Sequence, residues 1–268
     1  MYCEMNRKEH SMNEKRELTG KVALVTGGAR GIGRSIAEAF ADQGAHVLLN
    51  DILDSDRDVA EGIGGVFMQA DLSKVDEVRM LCRRLDEEGH DVDILVNNAG
   101  IQNVASIEEF PEETWFHMIQ LMLSTPYQLI KGVLPGMKER GWGRIINISS
   151  ILGLTASPYK CAYVSAKHGL IGLTKGIALE AGEYGVTVNA ICPAYVRTKL
   201  VEDQIEDQAR ARGISPESVI KKVMLEPAAI KHLIEPEEVA RMAVYLASEA
   251  SRSMTGSAYT LDLGWTAQ

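Results

Sequence analysis

The sequence predicts one α/β domain of the doubly wound, Rossmann type: a parallel sheet of about seven strands, helices on both faces, and a small helical lid. Three observations carry that reading. Short apolar, β-branched runs alternate with helix-length amphipathic stretches along most of the chain, the pattern of βαβ units whose sheet is buried on both faces. A glycine-rich turn, residues 27–33, makes the tight connection from the first run to the first stretch. No internal repeat or change of composition divides the 268 residues.

Val22–Val25 reads as the first strand and Ile32–Gln43 as the first helix, with Gly44 as its stop signal before a second strand at His46–Asn50. Val66–Ala70, Asp93–Asn97, Gly143–Ser149 and Val186–Ile191 read as further strands. Between them Lys74–Glu88, Pro111–Lys138 (interrupted near Pro126) and Ala162–Glu183 read as helices. Pro236–Ala247 and Ala258–Leu261 supply a last helix and strand. Right-handed crossovers then give the doubly wound arrangement. Residues 199–235 break the rhythm, being charged, helix-favouring and punctuated by Gly213, Pro216 and Pro227. An excursion there is expected to act as a lid over the carboxyl ends of the strands, where ligands of such sheets bind; the plainer alternative is a surface excursion without function. Residues 1–17, polar and mixed in charge, read as a disordered arm, and the domain runs from 18 to 268.

A hydrophobic content of 46% and a charged content of 24% suit an ordinary globular protein with a sizeable core. A formal charge of −9 argues against a nucleic-acid partner, since phosphate binding needs clustered lysine and arginine. Cys3, Cys82, Cys161 and Cys192 lie too far apart for a zinc spacing or a disulfide framework, so no metal is expected. No apolar run is long enough for a signal peptide or a membrane span, which makes the cytoplasm the expected location.

In the turn Thr26–Gly33, Gly27 permits the tight bend, Gly31 lets backbone approach a pyrophosphate, and Gly33 lets the helix settle closely on the sheet. No Lys-Ser/Thr follows, so this is not a nucleoside triphosphate loop. Asp51 closes the second strand 18 residues beyond Gly33. A carboxylate there accepts both hydroxyls of an adenosine ribose and repels a 2′-phosphate. Arg30 points the other way, because a guanidinium pairs with phosphate. Repulsion in a confined pocket outweighs one optional attraction, so the expected cofactor is NAD rather than NADP. Asp71 is placed either to meet the adenine amino group or to cap the helix from Lys74.

Tyr163 and Lys167 are four residues apart on one helix and share a face. A phenol with a pKa of about 10 is a poor acid–base group at neutral pH, and an adjacent ammonium stabilises its phenolate. Ser150, at the end of a strand, is placed to hydrogen-bond a substrate oxygen. These three are the expected catalytic set.

Asn97-Asn98-Ala99-Gly100, Ser150, Tyr163-Val164-Ser165-Ala166-Lys167 and Asn189-Ala190-Ile191-Cys192-Pro193 follow the glycine turn in order. Together they resemble the short-chain dehydrogenase/reductase family, from about Leu18 to the C-terminus. The resemblance implies that Tyr163 is the general acid/base, that Lys167 lowers its pKa and holds the ribose, and that Ser150 orients the carbonyl. It places Arg30, Ile32, Leu72, Asn98, Gly100 and Pro193 along the cofactor, with Val196 and Thr198 on its carboxamide and phosphate side. The usual glycine after Pro193 is Ala194 here.

Ile101-Gln102, Pro135–Lys138, Gly141–Asn147, Ser157–Lys160 and Gly264–Gln268 are similar to the group of bacterial-type D-3-hydroxybutyrate dehydrogenases within that family. That similarity implies that Gln102, Lys160 and Gln204 hold a substrate carboxylate and that Trp265 forms an aromatic wall. In an acidic protein a fixed local cation is a sensible way to hold a small carboxylate. Three residues depart from the group. Met122 stands in place of an asparagine that helps the lysine reach a water chain, and methionine is only a weak acceptor. Leu152 replaces a histidine and Tyr195 a tryptophan in the substrate pocket, which suits a longer or less polar acyl tail.

The leading expectation is therefore NAD-dependent interconversion of a secondary alcohol and a ketone, with a short 3-hydroxy acid such as D-3-hydroxybutyrate as substrate. An alternative is a less polar alcohol or a 3-oxoacyl substrate, and a lower-ranked one is an NAD(H) sensor with little turnover, motivated by Met122. The resemblance also implies a homotetramer, packed through Pro111–Lys138 and Ala162–Glu183.

Overall fold

Strand side chains divide between two cores, one on each face of the sheet. In β1 (Val22–Thr26), Ala23 and Val25 join one cluster and Leu24 the other. In β4 (Ile94–Asn97), Ile94 and Val96 face the first and Leu95 the second. The same alternation runs through β2 (His46–Asn50) and β5 (Gly143–Ile148). Side-chain direction in a strand has a period of two, so runs that are apolar throughout need cover on both faces.

The computed structural model describes residues 16–267. Of the expected arm over 1–17, residues 1–15 lie outside them, whereas Glu17 donates its N–H to Gln43 Oε1 at 3.1 Å and so joins the domain. All described strands pair in parallel, in the order β3-β2-β1-β4-β5-β6-β7, with β3 at Val66–Phe67, β6 at Val186–Pro193 and β7 at Ala258–Leu261. Chain order reverses direction between β1 and β4, and that crevice is where such sheets bind ligands.

Helix α1 (Gly31–Asp42) and α9 (Pro236–Ala247) cover the first face through Ile36, Phe40, Val239 and Ala243, aided by Ala60 of α2 (Arg57–Gly62). On the second face lie α3 (Val75–Glu87), α5 (Thr125–Arg140) and α6 (Cys161–Ala181), through Leu81, Leu129 and Ala178 among others. Helix α4 (Glu112–Ile119) precedes α5. A wider π turn at Gln120–Ser124 joins them, one turn ahead of Pro126. Proline has no N–H for the carbonyl four residues back, here that of Met122, so the regular ladder breaks where the sequence placed the interruption.

The third strand is shorter than expected. Past Phe67 the chain stays beside β2, with Met68 N–H donating to Leu49 O at 2.9 Å and Ala70 N–H to Asp51 O at 3.2 Å. The Asn50 side-chain amide, however, donates to Met68 O and Ala70 O at 2.8 and 3.2 Å. A side chain thus takes the carbonyls a longer backbone ladder would use. The six-residue α2 is too short to announce itself by periodicity.

Residues 199–235 are helical in part: α7 (Lys199–Arg212), α8 (Pro216–Val219) and a π turn at Ile220–Met224. They carry a small core of their own, built from Val201, Ile205, Val219 and Met224 with Tyr195 against it.

Candidate active site

The glycine turn sets up one end of the site. Gly27 and Gly31 have φ of +60° and +51°, which glycine adopts without strain. At Gly33 an added Cβ would stand 2.1 Å from Gly27 O and 2.5 Å from Asn98 Nδ2. The first turn of α1 therefore presses directly on the strand ends, leaving its N–H groups facing the crevice. Asn98 belongs to the same scaffold: its Nδ2 donates to Thr26 O at 2.9 Å and Gly27 O at 3.0 Å, and its N–H donates to Thr26 Oγ1 at 2.9 Å.

A cavity of about 600 Å³ runs from this turn to α6 and α7. Among the expected site residues, all but Gly33 and Trp265 line it. Gly33 lies beneath the turn, and Trp265 stands behind Tyr195 with ring centroids 5.7 Å apart. At the far end Asp51 accepts from Ala29 N–H at 3.0 Å and Ile52 N–H at 2.8 Å. Asp71 accepts from Ser73 N–H at 3.0 Å and Ser73 Oγ–H at 2.6 Å, and pairs with Lys74 at 3.2 Å, so it shapes the turn into α3 while lining the cavity. These contacts hold its carboxyl below the ordinary range although burial acts the other way.

The expected catalytic set meets at the middle. Ser150 lies just past the end of β5; its Oγ accepts from Leu152 N–H at 3.1 Å, capping a short 3-10 turn at Ile151–Gly153. Tyr163 and Lys167 project from α6, with Lys167 Nζ 5.5 Å from the Tyr163 ring centroid and donating to Ile148 O at 2.7 Å. Burial pushes the Tyr163 phenol up to about 12, against a downward pull from its hydrogen bond with Ser150. Burial also pushes the Lys167 ammonium down to about 8. In the chain by itself, desolvation outweighs the phenolate stabilisation expected of the lysine.

Beside this set the buried Lys160 donates to Gln204 Oε1 of α7 at 3.0 Å and lies 5.4 Å from the Tyr195 ring centroid. Its amine is pushed down to about 8 by burial. Gln102 Oε1 is buried without a hydrogen-bond partner among the described residues. Leu152 is buried and lines the same cavity. Met122 does not line the cavity; it is buried behind Gly100 in a cluster with Met118, Ala162 and Ala166 against which Tyr163 packs. Sequence reasoning missed Asn50, Ile101, His117, Leu121, Lys199 and Asp203, which also line the cavity. Asn50 was legible from its place at a strand end; His117 of α4 and Leu121 of the π turn after it become site residues only through tertiary packing.

Whether a nicotinamide dinucleotide fits is answered by the crowding at Gly31 and Gly33, where only a residue without a side chain is accommodated, and by the unbroken cavity from Asp51 to Tyr163. It fits. A doubly wound sheet with that turn and a serine, tyrosine and lysine on one cavity defines a nicotinamide-dependent oxidoreductase. The chain belongs to the short chain dehydrogenase family, whose model matches residues 21–209. It is 48% identical over 256 residues to the D-beta-hydroxybutyrate dehydrogenase of Rhizobium meliloti (strain 1021), covering 92% of this chain and 99% of that one. To the protein of the same name from Cupriavidus necator it is 45% identical, covering 94% and 100%. A crystal structure of a putative NAD(P) dependent gluconate 5-dehydrogenase from Beutenbergia cavernae, with bound NADP at low occupancy, superposes with a TM-score of 0.85 at 33% identity, covering 95% of this chain and all of that one.

Proposed function

We propose that this oxidoreductase is an NAD-dependent dehydrogenase interconverting a short 3-hydroxy acid, D-3-hydroxybutyrate first, and its 3-oxo acid. The observation that carries the substrate is Lys160: a buried amine with a single neutral acceptor, Gln204, and no ion pair among the described residues. An ammonium so placed gains most from an anion brought in by the ligand. Gln102 and Gln204 stand ready as neutral partners, and a carboxylate on Lys160 directs the rest of a small acid toward Ser150 and Tyr163. The names of the two similar dehydrogenases agree with that chemistry.

The nicotinamide supplies the hydride acceptor in the alcohol direction and the donor in the ketone direction. Ser150 hydrogen-bonds the substrate oxygen, and Tyr163, whose phenol the charges of Lys167 and an oxidised nicotinamide would together bring down from its value in the chain by itself, takes the hydroxyl proton as the carbonyl forms. Lys167, held by Ile148 O, contributes its charge beside the phenol and a donor for the ribose. NAD is favoured over NADP because Asp51 adjoins the glycine turn through Ala29 N–H.

The test is a screen of hydroxy acids and neutral alcohols with NAD and NADP, read at the nicotinamide absorbance. NADH formation from D-3-hydroxybutyrate is expected; none from it, with turnover of a larger or neutral alcohol, overturns the substrate. A second reading rests on Leu152, whose apolar wall suits a longer acyl tail. In the same screen it appears as a higher kcat/KM for 3-hydroxyhexanoate.

A further inference from the structure

Arg30 is the one charged side chain of the glycine turn, and the structure gives it a partner outside the cavity. Its Nη2 donates to Asp56 Oδ1 at 2.6 Å. Asp56 is 7% exposed, ends a 3-10 turn at Asp54–Asp56 between β2 and α2, and does not line the cavity. Its other oxygen, Oδ2, is buried with no hydrogen-bond partner among the described residues. Arg30 itself lines the cavity next to the Asp51 end, since Ala29, the residue before it, donates to Asp51. The other lysines and arginines that line the cavity, Lys160, Lys167 and Lys199, come from α6 and the lid. Arg57, adjacent to Asp56, pairs instead with Asp54 at 2.7 Å.

We propose that Asp56 is a specificity-determining residue: it holds the Arg30 guanidinium and withholds it from a phosphate on the adenosine ribose. A turn that carries an arginine thus still selects the unphosphorylated dinucleotide. Drawing the guanidinium toward a phosphate strips Asp56 of its cation and leaves both of its oxygens buried and unpaired, which is strongly unfavourable. The phosphate has to offset that loss while lying beside Asp51, whose charge opposes it. Asp51 repels and Asp56 disarms. The inference rests on the reading of the Asp51 end as the ribose site.

The experiment measures NADH and NADPH affinities by fluorescence titration, without substrate, for the natural chain, Asp56→Asn, Arg30→Ala and the double variant. Asp56→Asn is expected to tighten NADPH binding about tenfold while NADH changes less than about twofold, and the double variant should lose the gain. Arg30→Ala alone should leave NADPH affinity within about twofold, because the guanidinium is already committed. If Asp56→Asn does not fold, that single variant decides: a tenfold loss of NADPH affinity means the guanidinium was available and overturns the proposal. A natural chain that prefers NADH, with an unchanged ratio in folded Asp56→Asn, also overturns it while sparing the cofactor reading. A natural chain that binds NADPH at least as tightly as NADH overturns both.

Discussion

Lys160 and Lys167 share one cavity, each buried, each donating to one neutral oxygen, and each with its amine pushed down to about 8 by burial. Between about 8 and the ordinary 10.5 the folded chain binds fewer protons than the unfolded one, so stability rises with pH across that window. The penalty is fully present below about 8. Lys160→Met should therefore raise stability at pH 7 by about 1–3 kcal/mol, the advantage fading as pH climbs through that window. Urea unfolding at pH 7 and pH 10 checks this, and KM for a hydroxy acid should rise strongly in the same variant. Tyr163→Phe keeps the ring and removes the proton carrier. It should lower kcat by about 10²–10⁴-fold with NADH affinity unchanged within about threefold, as steady-state rates and fluorescence titration would show. At this scale the sequence was most legible where residue identity narrows the chemistry, as with Ser150, Tyr163 and Lys167, which the fold brings onto one cavity. It said nothing of Asp56, because an aspartate in a loop takes its meaning from whatever the fold brings to it.

Among the elements, the junction between α4 and α5 shows how local covalent chemistry governs a site. Pro126 breaks the helical ladder at Met122, and the resulting π turn buries the Met122 side chain behind Gly100 rather than aiming it into the cavity. Lys167 meanwhile finds its acceptor in Ile148 O. Met122→Asn should accordingly change kcat by less than about threefold, while placing an amide among apolar neighbours should cost about 1–3 kcal/mol of stability. Matched rate and unfolding measurements test both. A large rise in kcat would instead show that the natural chain lacks a working proton relay. The helices at Gly31–Asp42 and Pro236–Ala247 were readable from period and caps, the latter opening on Pro236 with a Glu235–Glu238 capping box. The early end of β3 was not readable, since it depends on one amide, that of Asn50, reaching sideways.

For the whole molecule, α4, α5 and α6 present exposed apolar residues, among them Phe116 at 66%, Tyr127 at 49% and Leu179 at 85%. These helices are the ones expected to pack in a homotetramer, and such side chains are what an interface of that kind buries. Light scattering should give a mass near that of four 29.3 kDa chains. Phe116→Glu with Leu179→Glu should lower it. The global architecture was legible because it follows from alternation and from one glycine turn. Lys160 and Gln204, 44 positions apart, were grouped by resemblance and not by any pattern in the chain; that Gln204 accepts directly from the amine was not legible.

The first strand in the chain lies in the middle of the sheet, between β2 and β4. During synthesis each later strand has a finished neighbour to dock on. A nascent chain that has just completed β5 already owns the glycine turn, Asp51 and Asn98, but not yet Tyr163, Lys167 or α7. The residues of the Asp51 end are thus synthesised before the groups expected to move the proton. At about 5–20 residues per second, Lys167 follows the end of β5 after about 1–4 seconds and the end of β6 after about 2–9, and until then the edge of β5 is open.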